Sequence, residues 1–277
     1  MAIALQAAGL DADGKFSTSC SASKLSQCTS LSAAQRALAN DGKNLVNFIR
    51  GDATYEASNG ANPLFRLRYA ALGDIANGSP AYAGKPPFQY ADSGYSDYVT
   101  AQASRTKVVY VPANDGMLHA FNALTGQELW AFVPNAVMAN LYKLADKNYT
   151  HQYFVDGSPV IADIKVSGSW KTILIGGLNK GGKAYYALDV TDPAAPIPLW
   201  EYTHANLGFT YGNPVVTKNS AGEWQVTEAA ATARFECQHC GQTMQDTPRT
   251  KAIWNESGTY RVASGTSESK QSFHWEA

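Results

Sequence analysis

Two stretches of this chain follow one plan. Residues 107–130 read KVVYVPANDGMLHAFNALTGQELW, and residues 171–200 read KTILIGGLNKGGKAYYALDVTDPAAPIPLW. Each carries a β-rich run, a Gly turn and a second β run with an Ala-aromatic core. A turn of acidic, Asn or Thr residues follows, and then a closing tryptophan, Trp130 or Trp200. Repetition at this scale points to an array of like β units, each burying its faces on its neighbours. A shorter signature recurs as NGSPAYAG at 77–84, DGSPVIAD at 156–163 and YGNPVVTK at 211–218. In each, a proline (Pro80, Pro159, Pro214) precedes an apolar strand, and proline is tolerated there because the first strand residue needs no ladder donor.

One unit therefore reads as a leading strand, two or three antiparallel strands and a tryptophan, which is the sequence form of a propeller blade. The fold class expected is mainly β: a partial β-propeller of antiparallel sheets, with about two blades plus the start of a third at Tyr211. The 23 Gly, 12 Pro and 15 Tyr suit many short strands joined by turns. Residues 31–49 carry the helical pattern, with Ser32 as N-cap and Gly42 as an interruption that predicts one broken helix or two short ones. A polar, aromatic insert at 85–105 lengthens the first unit. After Val226 the composition shifts to Ala and Thr and then to a Cys-containing knuckle. The expected organisation is an N-terminal helical and loop segment at 1–70, the partial propeller at 71–226 and a Cys-knuckle tail at 227–277, with the boundary between residues 225 and 231. An arc of so few blades leaves faces unburied and edges unpaired, which predicts poor stability or self-association.

Hydrophobic content of 45% and charged content of 16% fit a packed globular chain rather than a disordered one. A formal net charge of -1 gives no electrostatic bias toward nucleic acid or anionic lipid. No apolar run is long enough for a transmembrane helix. The start, MAIALQAAGLDADGK, lacks the basic region of a signal peptide; if the protein is exported, Met1 is not expected to be the true start.

The cysteines form two unlike pairs. Cys20 and Cys28 lie in a Ser/Thr-rich segment, where a local disulfide in an oxidising compartment and two free thiols are both open readings. Cys237 and Cys240 form a C-x-x-C knuckle of the zinc-ribbon shape. Zinc takes four ligands in a tetrahedral array and one knuckle supplies two, so an incomplete half-site, a completed site and a redox dithiol are the readings.

Residues 45–226 resemble the β-propeller domain of the PilC/PilY family of type IV pilus-associated proteins. The motifs that carry the resemblance are LVNFIRGD (45–52), ALGDIANGSPAY (71–82), VVYVPANDGMLHAFNALTGQELWAFVP (108–134), HQYFVDGSPV (151–160) and GGKAYYALDVTDP (181–193), followed in order by LWE and GNPVV. The resemblance implies a truncated propeller from a protein of pilus biogenesis, twitching motility and surface adhesion. It implies pilus components or a host surface ligand as partners, and an exported, pilus-associated or outer-membrane location. The tail from 233 to 277, with ARFECQHCG, SGTYRVAS and SFHWEA, is similar to part of the large terminase subunit of tailed phages, which raises a fused or chimeric sequence.

Candidate chemistry is sparse. Residues 177–183 fit G-x-x-x-x-G-K, but Ala184 replaces the Ser or Thr hydroxyl and a β run follows, so a hairpin turn is expected rather than a phosphate loop. Some members of the resembled family carry a calcium loop; here Asp11 and Asp13 lack the downstream Glu, Asp189 and Asp192 read as a turn, and no calcium is expected. Trp130 and Trp200 invite comparison with the tryptophan-docking repeats of quinoproteins, in which the indole packs between blades. His119 reads as a packed or edge residue, and Arg50-Gly51-Asp52 as a polar turn or an integrin-like ligand. The function expected is non-enzymatic binding on a propeller scaffold, with no cofactor beyond zinc at the tail. A quinoprotein enzyme and a DNA-packaging fragment are the alternatives.

Overall fold

The apolar spacing that follows Ser32 folds into two short helices. Ser32 caps α1 (Ala33–Asn40). Its hydroxyl accepts from Gln35 N at 3.2 Å, and the Gln35 side chain accepts from Ser32 N at 3.0 Å. This capping box satisfies two donors the helix leaves over. The break falls at Asp41, which ends α1 and caps α2 (Gly42–Ile49) by accepting from Lys43 N at 3.0 Å. Leu45, Val46, Phe48 and Ile49 on α2 are buried in one cluster with Val108, Tyr110 and Trp130. The computed structural model describes Cys20, residues 24–60, 62–205 and 207–227, and the backbone of strands as far as residue 263. Cys20 and Cys28 are joined by a disulfide, their Cα atoms 5.4 Å apart.

Each repeat becomes a four-stranded antiparallel meander. The first sheet runs β1 (Ala81–Ala83), β2 (Val108–Pro112), β3 (Leu118–Asn122) and β4 (Glu128–Phe132), neighbours in space in that order. The second runs β5 (Val160–Val166), β6 (Ser169–Gly177), β7 (Tyr185–Asp189) and β8 (Ile197–Tyr202) in the same order. Pro80 and Pro159 each stand just before the first strand of their sheet. The third signature opens β9 (Pro214–Lys218), which pairs with β10 (Trp224–Glu228). A two-stranded ladder of β11 (Phe235–Glu236) and β12 (Thr243–Met244) comes next in the chain. Then the backbones of β13 (Lys251–Trp254) and β14 (Tyr260–Ala263) complete the third sheet, in the order β14-β13-β10-β9. The sequence pattern marks only the start of that sheet, because strand pairing across a connection carries no local signal.

The sheets stack face to face, as blades do. Leu174, Tyr186 and Leu188 of the second sheet share a cluster with Trp130 and Leu118 of the first. Its Ile173, Ile175, Ala187 and Trp200 share another with Trp224 and Val226 of the third. Alternating side chains thus send one row of the second sheet to each neighbour, the period-two consequence of the pleat.

The insert at 85–105 contains α3 (Tyr95–Ala101) and fastens the stack from the side. Tyr90 stacks on Trp170 at 5.7 Å between ring centres and meets Trp224 edge-on at 5.4 Å. Tyr95 Oη donates to the fully buried Asp163 at 2.7 Å, and Thr172 Oγ1 donates to the same carboxylate at 2.6 Å. Arg105 Nη1 donates to Thr172 Oγ1 at 2.7 Å. A buried carboxylate satisfied by two hydroxyls locks the insert in one register, because removing a partner leaves a desolvated group unpaired.

Candidate functional site

The turn between β2 and β3 organises the first sheet's outward face. Gly116 turns the chain at φ +93, where a side chain would be strained and its Cβ would meet Leu141 at 2.2 Å. The two residues before it are connectors. Asn114 donates to Asp74 Oδ2 at 2.8 Å and accepts from Phe154 N at 3.0 Å. Asp115 accepts from Gly73 N at 2.7 Å and from Met117 N at 3.1 Å.

Asp115 also faces His119 Nε2 at 3.0 Å, while His119 Nδ1 lies 2.7 Å from Glu128 Oε1. His119 is 5% exposed, so the imidazole is packed, as its place between Leu118 and Ala120 suggests. Burial works against its charged form, but the hydrogen bonds and charges of Asp115 and Glu128 outweigh that and push its pKa up to about 9. Glu128 is held below the usual carboxylate range, first by its hydrogen bond from His119.

A raised folded-state pKa stabilises the fold while the histidine of the unfolded chain is also protonated, and that stabilisation is lost as pH rises through the folded value. The window runs from 6.5 to about 9. Across it the unfolding free energy should fall by up to about 3 kcal/mol. Urea midpoints from pH 6 to 9.5 read this directly, and His119→Gln should flatten the profile; an unchanged slope would remove the ion pair from the account.

Above the triad is a cleft of about 270 Å³ lined by Ile49, Arg50, Leu72, Met117, Phe121 and Glu128 among others. Its walls are mostly apolar, and its polar side chains are those of Arg50, His119 and Glu128. Both His119 nitrogens face carboxylates, so the imidazole holds no position from which to act as a general base. The geometry suits binding. Arg50, Gly51 and Asp52 form the turn that ends α2, with Gly51 at φ +107, and Arg50 and Asp52 are exposed. Gly51 N donates to Phe48 O at 3.0 Å and Asp52 N to Asn47 O at 2.9 Å, the hydrogen bonds of a helix-ending turn.

The other expected sites fall as follows. Residues 177–183 join β6 to β7 as a hairpin turn. The positive φ there belongs to Asn179 at φ 48 rather than to a glycine, and Gly181 is required by its approach to Phe154. Asp189 accepts from Thr191 N at 3.0 Å and pairs with Lys171, and Asp192 accepts from Ala194 N at 2.9 Å, which makes both of them turn-building groups. Cys237, Cys240, Asp11 and Asp13 lie outside the described residues. Among the described residues, no group of three or more His, Cys, Asp or Glu side chains is placed to hold a metal ion. Trp130 is 1% exposed and its Nε1 donates to Pro193 O, in the turn between β7 and β8, at 2.8 Å. The ion-paired triad was missed in the sequence; its only signal was an acidic residue four before His119 in a turn, while the approach of Glu128 depends on strand register.

Stacked meanders with an indole docked between them raise the question of kinship. A family model described as the PilY1 beta-propeller domain matches residues 72–242, more than half of the chain. The chain belongs to the PilY1 β-propeller family. A type IV pilus biogenesis factor PilY1 homolog of Xylella fastidiosa (strain Temecula1) is 41% identical over 216 residues, covering 74% of this chain and 18% of the relative. The type IV pilus biogenesis factor PilY1 of Pseudomonas aeruginosa (strain PAK) is 44% identical over 198 residues, covering 67% of this chain and 17% of the relative. The crystal structure of the Pseudomonas aeruginosa PilY1 C-terminal domain aligns at 30% identity and a TM-score of 0.46, over 66% of this chain and 43% of that one. The chain therefore spans under a fifth of the length of these curated PilY1 relatives. The PilY1 match runs to residue 242, past the compositional shift at 225–231. No helix among the described residues is long and apolar enough to cross a membrane.

Proposed function

We propose that this chain acts in type IV pilus biogenesis as a non-enzymatic binding scaffold. The observation that carries the reading is 41% and 44% identity to pilus biogenesis factors across the sheets themselves. The stacked sheets supply rigidity, and exposed loops and the cleft above His119 supply contact chemistry. Pilus components, or a surface ligand of a host cell, are the partners this reading implies, and the working location is the pilus or the outer surface. Deleting the gene in its source organism and restoring it with a tagged copy tests the reading. Loss of surface pili and of twitching, regained on complementation, with the tag recovered in sheared pili, is the expected result. Normal piliation after deletion would reject it.

Export implies an oxidising route, in which the Cys20–Cys28 bond forms. Peptides carrying these two cysteines should resist alkylation until a reductant is added. Reduction should lower stability by roughly 2–3 kcal/mol, the loop-closure value for so short a ring. Immediate alkylation of both thiols in protein purified from its native compartment would count against export.

A further inference from the structure

An asparagine followed by glycine carries a latent reaction of its own. The glycine amide nitrogen attacks the Asn side-chain carbonyl carbon, because no Cβ shields it and the glycine backbone turns freely. The new C–N bond closes a succinimide ring. The bond from Cγ to Nδ2 breaks, the amide proton passes to the leaving nitrogen, and ammonia departs. Water then opens the ring, giving its hydroxyl to one carbonyl carbon and its proton to the ring nitrogen. The product is aspartate, or isoaspartate when the chain leaves through the former side chain. Nothing is oxidised or reduced.

This chain has two such pairs, Asn59-Gly60 and Asn77-Gly78, and the fold treats them oppositely. Both asparagines are exposed, but Asn77 is immobilised. Its Nδ2 donates to Asp156 Oδ2 at 2.7 Å, and its backbone N donates to Oδ1 of the same carboxylate at 3.1 Å. Asp156 is 1% exposed. Gly78 is buried, and a Cβ there would stand 2.5 Å from Pro112 Cγ and 3.1 Å from Asp156 O. Ser79 N donates to Ser158 Oγ at 2.9 Å, which fixes the next peptide as well. Ring closure needs the Asn-Gly torsions to rotate until the glycine nitrogen meets Cγ. At Asn77 that rotation breaks two charge-assisted hydrogen bonds and displaces packed backbone.

Asn59 is restrained only by neutral groups in the exposed turn that follows α2. Its Nδ2 donates to Ala53 O at 3.1 Å, and its N donates to Glu56 O at 2.9 Å. A neutral hydrogen bond at the surface is readily exchanged for one to water. Gly60 is exposed, and a Cβ there would meet nothing within 4 Å, so the backbone has room to rotate.

We infer that Asn59 is a spontaneous modification site, converted to aspartate and isoaspartate in the folded protein while Asn77 is preserved. The conversion adds one negative charge to a chain whose formal net charge is -1. Isoaspartate also lengthens the backbone of the turn that follows Arg50-Gly51-Asp52 by one carbon. The turn lies outside the sheets, so the stacked strands are untouched.

The test incubates the full chain at mildly alkaline pH, once in native buffer and once in guanidinium chloride. Peptides spanning the two asparagines are then quantified by mass spectrometry, which reads the exchange of –NH2 for –OH. In native buffer Asn77 should convert about tenfold or more slowly than Asn59, since it reacts only from a locally opened state. In denaturant the two should convert at similar rates. Gly60→Ala should slow Asn59 severalfold, because the added methyl group crowds the attacking nitrogen, and it should keep the fold because the position is open. Equal rates in native buffer, faster conversion at Asn77, or conversion of Asn59 confined to the denatured chain would overturn the assignment.

Discussion

Trp130→Ala should lower the unfolding free energy by about 3–5 kcal/mol, the range for emptying a buried aromatic site. The indole is 1% exposed and lines one small cavity with Leu188, Pro196 and Pro198, with Tyr110 of its own sheet at 5.6 Å between ring centres. Alanine leaves a void between two sheets and an acceptor, Pro193 O, without its donor. Trp130→Phe separates the two losses. It keeps most of the apolar contact and forfeits the hydrogen bond, and should cost about 1–2 kcal/mol. Urea unfolding followed by far-UV circular dichroism measures both. A Trp130→Ala loss under about 1 kcal/mol would mean that the sheets are not held together through this contact.

Gly181→Ala should be almost as damaging, at about 3 kcal/mol, although it adds a single methyl group. A Cβ at this position would stand 1.8 Å from Phe154 O and 2.4 Å from Phe154 C. The obstruction is backbone, so no rotamer change can relieve it, and the β6–β7 turn must move away from the segment that leads into β5. Gly168→Ala is the informative control, for the opposite reason. Gly168 has nothing within 4 Å but sits at φ +79, so its cost is the backbone strain alone, about 1 kcal/mol. Thermal melts of the two variants should therefore rank Gly181→Ala well below Gly168→Ala. The reverse order would show that the turn at 178–184 is free to shift.

The two glycine positions show where sequence reading runs out. The G-x-x-x-x-G-K outline at 177–183 looks like a phosphate loop when read as a string. The β run at 184–190 makes a hairpin the better expectation, and a hairpin is what β6 and β7 form. What the string could not tell was why glycine is needed, because Phe154 lies more than twenty residues away in the chain and meets Gly181 only after folding. His119 is similar. Its burial was readable from a strand of apolar neighbours, but its two carboxylates arrive from a turn and from the next strand.

The amino-acid sequence alone determined the unit: strand periodicity, proline at strand starts, glycine and Asn-rich turns and a closing tryptophan specify a meander, because these are local preferences of backbone and side chain. It also determined the family, through motifs that recur in order. Tertiary structure alone decided which faces meet. It sent Trp130 to Pro193, drew the strands at 251–254 and 260–263 into the third sheet, and set Asp115 and Glu128 on either side of His119. Such contacts join residues far apart in the chain, and their partners are chosen by packing and by the need to satisfy buried polar groups, neither of which leaves a periodic trace in the string.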